Sequence, residues 1–336
     1  MHYPVIKPVA DMHCDLLDYL STVGRADPNN TADIGCAAPF LRDGGVKLQV
    51  LAISSVDELD SKRGTERQCE WFRRLTVTEG GTFHRVTKGM TTESVLECPR
   101  ICVIAAIENA SALASDSDPL EVALRTLDRV DAMVGPLFYM SFTHHLENRF
   151  GGGNSTDVGL KDDGAILLEY VAGRNIAVDL SHASDALASD IISYIDRKRL
   201  DVPLIASHSN FREILSHQRN LPKDIAEAII DRQGLIGITF LRALLHPDDP
   251  GALVRHIEYG LTANAHHAMC FGSDYFYTDG HPDRSRIPFF FDEHENAGRY
   301  QDILNSVQHL LTPAALYNLA FGNVMAFLQR LWQPQD

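Results

Sequence analysis

The segment VADMHCD, residues 9–15, is an apolar run that ends on potential metal ligands. Four more segments have the same form: VIAAIE at 103–108, IAVDLSH at 176–182, PLIASH at 203–208 and AMCFGSD at 268–274. Apolar runs of this length are typical of parallel strands that are buried on both faces. In a parallel barrel the carboxyl ends of different strands meet at one mouth, so the sequence predicts that these polar ends converge there.

Strand and helix patterns alternate along the whole chain. The predicted strands are 6–12, 46–54, 101–108, 136–143, 175–181, 202–207, 234–240 and 267–273. Helical patterns lie near 62–76, 117–132, 159–173, 185–199, 222–232, 252–263, 299–310 and 313–332. This repeat predicts an α/β protein with a (β/α)8 TIM-like barrel, a single domain over 1–336 and a site at the C-terminal ends of the strands. The polar runs 145–158 and 276–296 are predicted to be loops over that mouth.

Composition excludes some classes of protein. The formal net charge of −15 argues against a nucleic-acid partner, because phosphate binding needs a basic surface. The six cysteines are scattered and form no Cys-x-x-Cys pair, and no stretch approaches the roughly 20 apolar residues of a membrane span. We therefore expect a cytoplasmic protein without a membrane span.

The first and third strands end on candidate ligands. His13 and Asp15 are two residues apart, so on a strand both side chains point to the same face. The alternative is a strand-end histidine that donates to its neighbouring carboxylate. Glu108 closes an apolar strand, where a carboxylate is costly unless it is paired or binds a cation. Its alternative role is to cap the next helix.

Three more strand ends carry titratable side chains. His182 and His208 end consecutive strands among small residues, although a lone histidine there would more often be a satisfied core residue. Asp274 ends the eighth strand, where it could act as a general base or could orient a histidine ligand. Histidine and carboxylate donors together suit zinc.

Two further residues suit substrate binding. His144 ends the fourth strand and could donate a hydrogen bond to a developing oxyanion, while its neighbour His145 is expected to point elsewhere. The planar guanidinium of Arg219, in the loop after the sixth strand, would suit a substrate carboxylate. A solvated loop arginine is the alternative.

In this order and context, these residues resemble the membrane (renal) dipeptidase family, peptidase family M19, of the metal-dependent amidohydrolase-like barrels. The family motif Asp-x-His-x-Asp-Leu is similar to residues 11–16, and Leu-Thr-His-x-x-x-Asn is similar to residues 142–148. Asp-Leu-Ser-His, Ser-His-Ser and Arg-Asn-(Val/Leu)-Pro-x-Asp are similar to residues 179–182, 207–209 and 219–224, and Gly-x-Asn before the final helix is similar to residues 322–323. The resemblance covers residues 6 to 332.

The resemblance implies a zinc-dependent dipeptidase that cleaves the peptide bond of a dipeptide with a metal-bridged hydroxide. It implies two zinc ions per chain, with Glu108 bridging both, and often a homodimer. Asp274 would hold and deprotonate the bridging water. The remaining implied roles are one zinc on His13 and Asp15, the other on His182 and His208, carbonyl polarisation by His144, and substrate binding by Arg219, His144 and Asn148.

The chain departs from the family pattern at three places, one of which is the seventh strand, residues 237–240, where the family's usual Asn before Phe is absent. Asn109 follows Glu108 where the family usually has glycine, which is expected to narrow the pocket. The usual second acidic residue after Asp274 is missing, because Tyr275-Phe276-Tyr277 follows instead. Two alternative functions are therefore a related binuclear metal amidohydrolase acting on another amide, lactone or ester, and a catalytically inactive barrel.

Overall fold

Eight parallel strands pair side by side and close into a ring in the computed structural model of the chain. The structure describes residues 6–55, 61–279, 281 and 283–332. In chain order the strands are β1 (Val9–Cys14), β2 (Val46–Ser54), β3 (Phe83–Arg85), β4 (Ile101–Glu108), β5 (Tyr139–Ser141), β6 (Ala177–Asp179), β7 (Leu204–Ala206), β8 (Leu235–Ile238) and β9 (Met269–Phe271). The ring runs β1-β2-β4-β5-β6-β7-β8-β9 and returns to β1, while β3 extends the sheet from β4 outside it. The predicted (β/α)8 barrel is confirmed.

Helices connect the strands and cover the outside of the ring. They are α1 (Leu16–Thr22), α2 (Ala38–Asp43), α3 (Ser61–Val77), α4 (Thr92–Glu97), α5 (Leu120–Val134), α6 (Asp162–Val171), α7 (Asp185–Lys198), α8 (Lys223–Asp231), α9 (Arg242–Leu245), α10 (Ala252–Thr262), α11 (Tyr300–Val307), α12 (Pro313–Tyr317) and α13 (Asn323–Leu331). In the described ranges, every helix is too short or too polar to span a lipid bilayer.

A buried carboxylate joins the first strand of the ring to the last. Asp11 on β1 accepts hydrogen bonds from the backbone N–H of Ser273 at 3.1 Å and from its hydroxyl at 2.5 Å, just beyond β9. The hydroxyl of Tyr300, at the start of α11, donates to the same carboxylate at 2.7 Å. Since a buried carboxylate is costly without such donors, these bonds hold the ring closed where its two ends meet.

The later strands are shorter than the sequence predicts. The predicted strand 175–181 is found as β6 over Ala177–Asp179, and the predicted strand 202–207 as β7 over Leu204–Ala206. One cross-strand bond continues past β6, from the Leu180 N–H to the Ile205 carbonyl at 2.8 Å, and the chain then turns at His182, whose φ is +66°. The apolar pattern predicted burial correctly, but burial continues beyond the residues that pair.

The final helix is interrupted where the sequence predicts one helix over 313–332. Thr312 caps α12 by accepting a hydrogen bond from the Ala315 N–H at 3.2 Å, as a threonine before a helical proline favours. A π-helical turn at residues 318–322 then separates α12 from α13. The predicted apolar face is buried before, within and after this turn, at Leu316, Leu319, Val324, Phe327, Leu328 and Leu331.

Candidate metal centre

Glu108 lies at the centre of the barrel mouth. It is the last residue of β4, and its Oε1 is 3.5 Å from His13 Nε2, 3.2 Å from His182 Nε2 and 3.4 Å from His208 Nε2. The histidines come from β1 and from the segments that follow β6 and β7. One carboxylate oxygen therefore contacts three imidazoles that are up to 195 residues apart along the chain.

Two more carboxylates approach the same ring of His13. Its Nε2 is 4.0 Å from Asp15 Oδ1 and 3.9 Å from Asp274 Oδ1. Burial raises the pKa of Asp274 to about 7 and, together with the charge of Glu108, raises that of Asp15 well above its usual range. Burial would lower the pKa of His13, but the neighbouring carboxylates outweigh it and raise this pKa to about 10. The three carboxyl groups thus compete for the charge of one buried imidazole, which is why the pKa of Asp15 and Asp274 is raised while that of His13 is raised as well.

The donor atoms fit a cation. Within each of the sets His13–Asp15–Glu108, Glu108–His182–His208 and His13–His208–Asp274, one ligand atom per residue lies within 4.8 Å of the others. Among the described residues, neither His13 Nε2 nor Asp15 Oδ1 has a hydrogen-bond partner, although both atoms are buried. Buried polar atoms normally have a hydrogen-bond partner, so two buried atoms without one are consistent with a metal site.

Hydroxyl groups fix the tautomers of two of the histidines. Tyr139 on β5 donates its hydroxyl proton to the Met12 carbonyl at 2.8 Å, so it accepts from His13 Nδ1–H at 2.7 Å. In the same way Ser207 donates to Asp179 Oδ2 at 2.5 Å and accepts from His208 Nδ1–H at 2.7 Å. Both rings therefore keep a proton on Nδ1 and turn Nε2 to the mouth, where a bound metal would replace any proton on Nε2, as in metal-ligating histidines.

Two glycines allow the chain to place His208. A Cβ built on Gly237 or on Gly272 would lie 1.9 Å from the carbonyl oxygen of Ser207. Only glycine, which has no Cβ, lets β8 and the residue after β9 lie this close to the Ser207 carbonyl. The glycine at position 272, in the segment AMCFGSD, is thus explained by packing against the segment that carries His208.

The predicted substrate residues lie beside this cluster. The His144 ring stacks on that of His182 with centroids 4.2 Å apart, and burial lowers the pKa of His144 to about 3, so it is neutral. Arg219 is buried, and its guanidinium donates to Ser209 Oγ at 2.8 Å and to the His208 carbonyl at 3.1 Å. These bonds fix the guanidinium next to the segment of His208.

The side-chain amide of Asn148 is hydrogen-bonded to other residues of the protein through both its nitrogen and its oxygen. Its Nδ2 donates to Asn109 Oδ1 at 3.0 Å, Ser111 Oγ at 3.1 Å and the Phe142 carbonyl at 2.7 Å. Its Oδ1 accepts from the backbone N–H groups of residues 150 and 151. All of its amide atoms thus hold the loop after β5, and the contact with substrate that the resemblance implies stays a prediction.

The side chain of Asn109 points in another direction than the sequence predicts. Its side chain was expected to narrow the pocket, but it turns toward neighbouring loops, where it donates to the Ser55 carbonyl at 2.8 Å and accepts from the Ser111 N–H at 3.1 Å. Its φ of +72° is the conformation that glycine adopts most easily. Asparagine tolerates this region better than most residues and here links three loops.

His145 lies in the mouth, contrary to the prediction that it points elsewhere. That prediction assumed that the strand continues to this residue, but β5 ends at Ser141. The ring centroid of His145 is 4.0 Å from that of His144 and 5.0 Å from that of His182. The sequence analysis also missed Tyr139, for which the only available signal is a hydroxyl within an apolar strand.

Comparisons with known proteins agree with this architecture. The family described as membrane dipeptidase (peptidase family M19) matches residues 5–332. A metallo peptidase from Rhodobacter sphaeroides, solved with a phosphinate mimic of the dipeptide L-Ala-D-Ala, superposes with a TM-score of 0.78. It is 18% identical, and the match covers 97% of this chain and 100% of that one. At this identity the likeness shows the fold.

Two curated relatives match part of the chain. An uncharacterised protein from Acinetobacter calcoaceticus is 25% identical over 169 residues, which are 48% of this chain and 51% of that protein. The dipeptidase verJ from Clonostachys rogersoniana is 24% identical over 165 residues, which are 46% of this chain and 41% of that protein. The chain thus matches about half the length of these relatives or less.

Proposed function

Because the chain belongs to the membrane dipeptidase family, peptidase family M19, we propose that it is a zinc-dependent dipeptidase. The observation that carries this proposal is the position of Glu108, with one carboxylate oxygen within 3.5 Å of three imidazole nitrogens at the barrel mouth. Active sites of such barrels lie at this end of the strands. The substrate class follows from the family.

Histidine nitrogen and carboxylate oxygen together form a donor set that suits zinc. We assign His13 and Asp15 to one zinc ion, His182 and His208 to a second, and Glu108 to both. Bound zinc supplies Lewis acidity, which polarises a carbonyl group and lowers the pKa of water. The hydroxyls of Tyr139 and Ser207 support this assignment, since each accepts the Nδ1–H of its histidine and leaves Nε2 as the atom that would bind the ion.

The remaining residues act on the dipeptide and on protons. The guanidinium of Arg219 binds the terminal carboxylate, because it is a fixed planar cation beside the centre. The neutral ring of His144 donates an N–H to the oxygen of the scissile carbonyl as negative charge develops there. The carboxyl group of Asp274 accepts a proton from the attacking water and passes it to the leaving amine.

Metal content and hydrolysis of a panel of L,L and L,D dipeptides test the proposal. We expect about two zinc ions per chain and hydrolysis of at least one class of dipeptide. A Glu108→Gln variant is expected to lose both, because the buried donor set loses its central charge. Its matched control is Glu227→Gln, a change at an exposed residue on α8.

The metal assignment would be contradicted by a well-folded wild-type protein that holds fewer than about one zinc ion per chain. Zinc binding without hydrolysis of any dipeptide would instead favour another amide, lactone or ester as the substrate. The homodimer and the cytoplasmic location that we expect from the sequence stay predictions.

A further inference from the structure

Three histidine rings pack together at the edge of the metal centre. The ring centroids of His144 and His145 are 4.0 Å apart, those of His144 and His182 4.2 Å, and those of His145 and His182 5.0 Å. One nitrogen from each ring lies within 4.8 Å of the other two. Unlike the sets around Glu108, this set contains no carboxylate.

His182 belongs to both sets through different edges of its ring. Its Nε2 faces Glu108 Oε1 at 3.2 Å and His208 Nε2 at 2.9 Å. Its Nδ1, on the other edge, is buried and has no hydrogen-bond partner among the described residues. The residue is 6% exposed, so this nitrogen is shielded from bulk solvent. A buried unpaired ring nitrogen needs a ligand of its own.

His145 is the accessible member of the group. Its Nδ1 hydrogen-bonds to Asn154 Oδ1 at 3.0 Å, and the backbone N–H of Asn154 donates to the His182 carbonyl at 2.7 Å. Asn154 therefore holds His145 next to His182 and occupies one nitrogen of the His145 ring. The other nitrogen, Nε2, is left for a ligand that enters from the mouth.

We propose that His144, His145 and His182 form an additional, all-imidazole site for Zn²⁺, separate from the two metal positions around Glu108. Three histidines with an open fourth position form a known type of zinc site, and imidazole suits zinc, copper and nickel. Zinc bonds of 2.0–2.1 Å require nitrogens about 3.3 Å apart. Because one nitrogen from each ring already lies within 4.8 Å of the other two, the ion would have to draw the rings together by at most about 1.5 Å.

The composition of the site determines when it fills. No carboxylate neutralises the added charge, so this site binds zinc more weakly than the centre that contains Glu108 and fills after it. With Nε2 of His182 turned to that centre, coordination by Nδ1 releases the proton that Nδ1 carries. This step forms one nitrogen–zinc bond and breaks one N–H bond, the proton passes to a base of the buffer, a water ligand leaves the incoming ion, and no oxidation state changes.

Occupation of the site would inhibit the enzyme. The ion takes the lone pair of His144 and fixes its ring, so that His144 no longer donates to the scissile carbonyl. This consequence rests on the proposed dipeptidase activity, whereas binding of the extra ion does not. Excess zinc is therefore expected to act as a reversible inhibitor through a site that includes His145.

The test uses the zinc-loaded protein, with added Zn²⁺ followed by calorimetry, by zinc analysis after dialysis and by dipeptide hydrolysis. We expect binding of one zinc ion beyond the two of the centre, together with inhibition. The variant is His145→Asn. Its matched control is His266→Asn, because His266 is an exposed member of another adjacent pair, with His267, whose ring centroids are 5.2 Å apart.

His145→Asn is expected to weaken both the extra binding event and inhibition at least about tenfold, since loss of even an outer-shell partner costs 10–100-fold in metal affinity. Its initial zinc content is expected to equal that of the wild type. An unchanged third binding event in His145→Asn, or none in the wild type, overturns the proposal. Fewer than about one zinc ion in the loaded wild-type protein contradicts the proposed function instead.

Discussion

Replacement of Tyr139 by phenylalanine is expected to weaken zinc binding at His13 without removing a ligand. The hydroxyl of Tyr139 accepts from His13 Nδ1–H at 2.7 Å and donates to the Met12 carbonyl at 2.8 Å. Without it, the His13 proton is free to move to Nε2, the nitrogen that faces Glu108 at 3.5 Å. A ring in that tautomer has no lone pair for a metal.

The magnitude follows from the two bonds that are lost. Loss of an outer-shell partner of a ligating histidine costs about 10–100-fold in metal affinity, which corresponds to about 1.4–2.8 kcal/mol. Both the His13 N–H and the Met12 carbonyl would lose a partner in a fully buried strand, and each unsatisfied group costs about 1–3 kcal/mol of stability. Only the zinc ion assigned to His13 should be affected directly.

Zinc titration of metal-free protein against a competing chelator measures this effect. Wild type should bind two ions tightly, and Tyr139→Phe should show one of the two weakened. The matched control is Tyr300→Phe, which removes another buried hydroxyl, the donor to Asp11 at 2.7 Å. If both variants lose stability but Tyr139→Phe keeps both zinc affinities, the reasoning about the tautomer is refuted.

Three further changes test other parts of the structure. Arg219→Ala is expected to raise KM for dipeptides about 10–100-fold, because a charge-assisted bond is lost; an equal effect on uncharged esters in initial-rate assays would contradict this role. Asn109→Gly is expected to lower the free energy of unfolding by about 1–2 kcal/mol in urea titrations, because three hydrogen bonds are lost and relief of its positive φ offsets only part of the loss; a gain in stability would contradict this estimate. Burial lowers the pKa of His256 to about 4, so stability should fall by about 3 kcal/mol as the pH drops from 6.5 to 4 and the unfolded chain takes up the proton; an equally steep pH dependence in His256→Asn would refute this.

The barrel was predictable because its strands are apolar on both faces. The whole of β4 is buried, and its apolar run ends in Glu108 at the predicted boundary. Apolar periodicity reports burial rather than pairing, which is why the ladders of β6 and β7 are shorter than the apolar segments around them. The strand β3 was missed because Phe83–Arg85 is three residues long and carries two basic side chains.

The site was predictable only where strand ends determine it. His13 and Glu108 lie on strands, so their place at the mouth follows from the fold. His145 follows a strand that ends early, and the loop geometry beyond that end is set by hydrogen bonds such as those of Asn148. Such bonds join residues that are distant in sequence, and a single sequence gives no sign of them.

Three of the eight described non-glycine residues with a positive φ follow strands at the mouth, where their backbone strain adds to the argument for a functional site. Asn109, His182 and Asp274 all have φ between +65° and +72°, a conformation that costs a residue with a side chain about 1–3 kcal/mol. Glycine would remove this cost at each position but would also remove the amide, the imidazole or the carboxyl group. The Asp274 N–H bonds the His13 carbonyl at 3.2 Å, and the His182 carbonyl accepts from Asn154 at 2.7 Å, so neighbouring loops hold the strained turns in place. Strain that persists because the surroundings over-determine it is concentrated at sites where a side chain is needed. The three strained residues follow three different strands, and their side chains lie in or beside the cluster around Glu108. Burial of apolar surface alone would not require this arrangement.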